Sequence, residues 1–157
     1  FGCLVGSEMC IRDSARPLQR SLRNIMWEYG GVVKNEQKLK QGLKEIENLK
    51  EASKDLDVRP DSEGYQDLML AFDLQASLVS SESTLISAIS RKESRGAHQR
   101  DDYKEINDDF NVNMRVQFDS DENIILSKDN VPPLNKDLKN LITKTKEINN
   151  FEGMLLE

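Results

Sequence analysis

Apolar positions from Pro17 onward step along the chain as they would along one face of a helix: Leu18, Leu22, Ile25 and Tyr29 are separated by four, three and four residues. Pro17 suits the first turn of that helix, and Gly30-Gly31 ends it. Val32 and Val33 then predict a short extended crossing. Asn35 is placed to cap a second helix carrying Leu39, Leu43, Ile46 and Leu49 on one side. Its other side alternates Lys with Glu36, Glu45, Glu47 and Glu51, the pattern of a solvated face laced by pairs one turn apart rather than of a surface for an acidic partner. Asp55 to Ser62, broken by Pro60, reads as a loop. A third and longest helix is predicted from Glu63 to Lys92, with Leu68, Ala71, Leu74, Leu78, Leu85 and Ile89 along its seam. Phe72, Val79 and Ile86 widen the stripe, so this helix needs more than one neighbour, and three antiparallel helices are the economical packing.

The period changes after Tyr103. Val112, Met114, Val116 and Phe118 alternate strictly, Asp119 to Asn123 supplies turn residues, and Ile124 to Leu126 resumes a strand-like run, which together predict a hairpin. Asp119, Asp121 and Asn123 imitate part of a calcium loop, but its glycine and distal glutamate are missing, so a turn is the better reading. Val131-Pro132-Pro133 breaks the chain, Asn135 caps a last helix through Leu138, Leu141 and Ile142, and the end past Asn149 frays. The expected fold is mainly α: a three-helix antiparallel bundle of the spectrin-repeat kind over residues 15–103, then a short β-hairpin, a C-terminal helix and a tail over residues 104–157.

Residues 1–14, FGCLVGSEMCIRDS, are left out of this fold. VGSEMCIRDS resembles a translated sequencing adapter, and the parts of a signal peptide are missing: there is no basic start, and Glu8 and Asp13 interrupt the apolar run. The expectation is a non-native leader, with the natural polypeptide continuing on that side. Both cysteines, Cys3 and Cys10, fall within it, so a disulfide framework is excluded for the rest. With His98 the only histidine, metal ligation is not expected. A charge of -6, from 22 basic and 28 acidic residues, argues against a nucleic-acid surface. No apolar run is long enough to cross a bilayer, so direct membrane insertion is not expected either.

Three ordered blocks carry a family likeness: Leu22 to Val33 (LRNIMWEYGGVV), Leu39 to Leu49 with Gly42 inside it, and Glu93-Ser94-Arg95-Gly96-Ala97-His98-Gln99-Arg100-Asp101-Asp102-Tyr103 preceded by Ala88-Ile89-Ser90-Arg91-Lys92. Together they resemble the C-terminal helical domain of flavoprotein subunits of succinate dehydrogenase and fumarate reductase, and of the related L-aspartate oxidases. Two positions depart from the family pattern, Lys34 where arginine is frequent and Lys104 where proline usually follows the tyrosine. The resemblance implies FAD-linked redox chemistry on dicarboxylates in a larger parent, with flavin-binding and capping domains upstream and electrons passed to an iron-sulfur subunit. It implies a cytoplasmic location at the cytoplasmic face of the inner membrane, reached through partner subunits. No GxGxxG phosphate loop occurs in this sequence, so FAD binding belongs to the parent and this chain alone is expected to be inactive. An aspartate oxidase tail and a stand-alone three-helix interaction module are the alternatives.

No catalytic, cofactor-binding or metal residues are assigned. The candidates for contact with another domain or subunit are Glu93, Arg95, His98, Arg100, Asp102 and Tyr103. His98 is read as a structural hydrogen-bonding residue rather than an acid-base catalyst. Arg95 and Arg100 have the planar forks to clamp a dicarboxylate, but pairing with Glu93, Asp101, Asp102 or acids of a flavin domain is the favoured expectation. Gly96 is expected where the long helix stops, and Met26-Trp27 as a core anchor.

Overall fold

The computed structural model describes residues 15–58, 65–120 and 123–143. The leader, Pro60 and the residues around it, Asp121 and the tail past residue 143 lie outside the described residues, as do the expectations placed on them. Helices α1 (Ala15–Tyr29), α2 (Glu36–Ser53) and α3 (Gln66–Ser90) form the bundle. Two-residue strands β1 (Val33–Lys34) and β2 (Gln99–Arg100) pair in parallel, and a 3-10 turn at Asp108–Phe110 leads into the antiparallel hairpin of β3 (Val112–Phe118) and β4 (Ile124–Asn130). The chain is helical again over residues 136–143, here α4.

The helical spacing places the core where the pattern put it. Leu18 and Leu22 of α1, Leu39, Ile46 and Leu49 of α2, and Leu74, Leu78, Leu85 and Ala88 of α3 make one buried cluster, with Ile25, Met26, Leu43 and Ile89 against it. Asn35 caps α2 as expected, its Oδ1 accepting from the Lys38 amide at 2.8 Å. Asn135 does the same for α4, accepting from the Leu138 amide at 2.8 Å. On α2 the surface pairs are those of a laced helix, with Lys40 on Glu36 at 2.6 Å one turn away and Lys50 bridging to Glu82 of α3.

Trp27 is not a core anchor. It follows Leu22 by five residues, which turns it to the far side of α1, and it is 86% exposed while Met26 packs inward. Phe72, counted into the α3 stripe, is likewise exposed. The long helix also stops short of Lys92. Arg91 has already left it, with extended backbone at φ -81 and ψ 99.

Gly42 marks the tightest helix crossing. A Cβ there would sit 2.7 Å from Tyr29 Cβ and 3.0 Å from Leu85 Cδ1, so α1, α2 and α3 approach through the missing side chain. Because the Tyr29 Cβ is fixed to its helix and cannot swing away, Gly42→Ala is expected to cost about 1–3 kcal/mol of stability despite the better helix propensity of alanine. Urea unfolding followed by far-ultraviolet circular dichroism checks this; a more stable variant would show that the crossing has slack.

Candidate functional site

Six residues after α3 ends, the chain doubles back. Gly96, at φ +57, takes the left-handed conformation that lets Arg95 and His98 bond backbone to backbone, with the Arg95 amide 2.8 Å from His98 O and the return bond at 3.0 Å. Gly96 is therefore the pivot of this turn and not the terminator of the helix. The turn delivers Gln99 and Arg100 as β2 alongside β1, and the Asp101 amide continues the pairing by donating to Lys34 O at 2.9 Å.

Arg100 holds the centre. Its side chain is fully buried, with Nε and Nη2 donating to the two carboxylate oxygens of Asp102, each at 2.7 Å. Nη1 donates to Ala88 O at 2.7 Å, a carbonyl in the last turn of α3 that the helix itself leaves without a partner. The Tyr103 ring lies 5.0 Å from the guanidinium carbon. Asp102 then spans to α2, where its Oδ2 accepts from the Glu36 amide at 2.9 Å and adds negative charge at the helix N-terminus. One arginine-aspartate fork thus joins the end of α3 to the start of α2. The fork from Arg100, aided by the Glu36 amide, holds the Asp102 carboxyl at about 2, against the opposing effect of burial.

Glu93 is the second node and is wholly buried. It accepts from Arg91 Nη1 at 2.5 Å, Arg95 Nε at 3.0 Å and the Asn107 amide at 3.0 Å. Burial pushes its carboxyl up, but Arg95, the Asn107 amide and Arg91 together prevail and hold it at about 2. Arg91 carries the link further, donating to Phe110 O and Val112 O at 2.7 Å each, so the start of β3 is tied to the end of α3. Ser94 fills the space between the nodes: its Oγ donates to Tyr103 O and accepts from the Arg100 amide, both at 2.8 Å.

His98 is half-buried, with Nε2 3.2 Å from Arg91 O. Burial lowers its pKa, the carbonyl opposes this, and Lys34, Arg100 and Arg91 add to the lowering, so the imidazole is neutral near pH 7. Arrayed this way, Nε2 donates its proton to a backbone carbonyl.

All six sequence-predicted candidates, Glu93, Arg95, His98, Arg100, Asp102 and Tyr103, meet in this turn. Glu93 and Arg100 face inward, and Arg95, His98, Asp102 and Tyr103 retain some exposure. Arg95 pairs with Glu93, and Arg100 with Asp102 rather than Asp101. Sequence reasoning passed over Ser94, a small polar residue inside the run, and Phe110, an isolated aromatic in a polar stretch that is buried under Arg91 and Lys128.

This three-helix bundle, tied at its ends by arginine-carboxylate pairs, is of the class found at the C-terminal end of flavoprotein oxidoreductase subunits. The family described as fumarate reductase flavoprotein C-term matches residues 19–148, and the chain belongs to that family. It is 35% identical over 121 residues to the succinate dehydrogenase flavoprotein subunit of Coxiella burnetii, covering 76% of this chain and 20% of that protein. Against the L-aspartate oxidase of Acinetobacter baylyi it is 36% identical over 88 residues, covering 54% of this chain and 15% of the relative. Among solved structures, Mycobacterium smegmatis Sdh1 in complex with UQ1 superposes with a TM-score of 0.69 at 25% identity over 80% of this chain and 22% of that one. The chain spans about a fifth of the length of the curated relatives it matches.

Proposed function

We propose that this chain is the C-terminal helical domain of an FAD-dependent flavoprotein subunit that interconverts succinate and fumarate, and that its own task is mechanical. The observation that carries this reading is the turn itself, in which Arg100, Asp102, Glu93 and Arg91 spend their polar groups on backbone and on one another. Groups so engaged hold structure in place and leave little for a substrate. Glu93 and Arg100 fix the turn from inside, while Arg95, His98, Asp102 and Tyr103 present its outer side to the flavin-binding and capping domains and to an iron-sulfur subunit. The sequence holds no glycine-rich phosphate loop, so its residues do not fit the FAD pyrophosphate, and the flavin is seated upstream. Once bound there, FAD supplies the hydride chemistry; this domain braces the walls around it. Exposed Trp27, Val32, Met69 and Phe72 are surfaces that the remainder of a subunit would cover. Among the described residues no helix is long and apolar enough to cross a membrane, so attachment to one falls to partner subunits.

An L-aspartate oxidase parent is the second reading, favoured by the 36% identity to such an enzyme. The match to the succinate dehydrogenase subunit extends over 121 residues against 88, which favours the first. Both are tested on the full-length subunit. Copurified flavin with fumarate-dependent oxidation of a reduced viologen, and no hydrogen peroxide from L-aspartate in air, is the expected result. Flavin with peroxide from L-aspartate would move the assignment to the oxidase, and no flavin with no turnover of either substrate would overturn both.

A further inference from the structure

Among the described residues, one charge beside the turn has no counterion. Lys34 is only 8% exposed, its Nζ donates to Val32 O at 3.2 Å, and among the described residues no carboxylate lies within ion-pair reach. The acids nearby are already engaged, Glu93 by Arg91 and Arg95 and Asp102 by Arg100. Burial and the Arg100 charge both press the ammonium toward its neutral form. A buried cation is costly unless a partner compensates it.

Lys34 lines an open groove of about 620 Å³, together with Arg91, His98 and the Ser83, Thr84 and Ser87 hydroxyls of α3. Cationic and hydroxyl side chains in an otherwise apolar lining that includes Ala88, Met114 and Val116, with an open mouth, suit a carboxylate arriving on a side chain. We propose that the groove receives an aspartate or glutamate from the flavin-binding portion of the same subunit, whose carboxylate pairs with Lys34. The choice of occupant rests on the function proposed above: the matched relatives are about five times as long as the segment they share with this chain, so polypeptide of the same subunit is the nearest source of a fixed acid.

The test is a sign reversal at one position. In the 157-residue chain, Lys34→Met removes an uncompensated cation, and Tm is expected to rise by roughly 3–6 °C. In the full-length, flavin-loaded subunit the same change strands the incoming carboxylate, and Tm is expected to fall by a similar amount. Zero-length carbodiimide coupling of that subunit, mapped by peptide mass spectrometry, should join Lys34 to an Asp or Glu upstream of Ala15. A fall of Tm in the 157-residue chain, or a cross-link to one of its own acids, overturns the proposal by placing the partner within this chain. Stabilisation of the 157-residue chain by millimolar inorganic phosphate that vanishes in Lys34→Met overturns it in favour of a free anion. A subunit that binds flavin and turns over normally but gives no Lys34 cross-link sinks this proposal alone, whereas one without flavin sinks the functional reading first.

Discussion

Arg100→Ala is expected to lose about 3–5 kcal/mol of folding stability, out of the roughly 5–15 kcal/mol that a domain of this kind has in total. The size follows from what the substitution leaves behind. Asp102 loses both prongs of its fork, Ala88 O loses the donor that ends α3, and the Tyr103 ring loses the cation against its face. Asp102 is part-exposed and exchanges its fork for water, but Ala88 O gains no replacement, because the side chain that departs is fully buried and a truncated one opens a void. Arg100→Lys should recover only part of the loss: an ammonium keeps the charge but cannot donate in parallel to two carboxylate oxygens and also reach a helix carbonyl on the opposite side. In a double-mutant cycle, Arg100→Ala with Asp102→Ala should cost less than the sum of the single changes, since each single change strands the other's partner. Urea denaturation of the four proteins measures this. A loss under about 0.5 kcal/mol for Arg100→Ala would mean that the fork is ornamental and that the bundle alone holds α2 and α3 in place.

The two nodes show which parts of the fold were legible in the sequence. Helix faces were, because burial of Leu18, Leu22, Leu39, Ile46, Leu74, Leu78 and Leu85 repeats at helical spacing, and a repeating signal survives local error. The hairpin was legible for the same reason, its alternation running from Val112 to Phe118, although β4 continues to Asn130 past the apolar part that marked it. The end of α3 was not. Its last turn is set by where Arg91 must stand to reach Phe110 O and Val112 O, residues far along the chain, and no local pattern encodes that. Trp27 failed for a related reason: bulk alone suggested burial, while the helical angle from Leu22 pointed outward. Within the signature, residue types announced ion pairs but not their pairing. Arg100 chose Asp102 over Asp101 because β2 pairs with β1, turning Arg100 inward and setting Asp102 over the N-terminus of α2. Lys34 stood out only as a lysine where the family frequently has arginine, and its burial was not legible, since a lysine in an otherwise charged chain looks solvated until the parallel pairing buries it.

Glu93→Gln is expected to cost about 2–4 kcal/mol, because it leaves two guanidinium groups facing a neutral amide at a fully buried position, while the part-exposed Arg95 recovers some water. The amide keeps one acceptor oxygen for three donors, and its NH2 turns toward Arg91 or Arg95, which can only donate. The same carboxylate makes the fold acid-sensitive in a defined window. Its folded-state value of about 2 lies below the ordinary 4.5, so the folded chain binds this proton less readily than the unfolded one. Its contribution is therefore complete above about pH 4.5 and is lost as pH falls through about 2. Asp102, lowered from 3.8 to about 2, acts over an overlapping range and with the same sign. Urea midpoints of the wild-type chain should therefore fall steeply below pH 4.5, and Glu93→Gln, already weaker at neutral pH, should show a shallower decline over that interval. Equal slopes for the two proteins would show that Glu93 titrates alike in the folded and unfolded states, and the carboxylate would then be no anchor for Arg91 and Arg95.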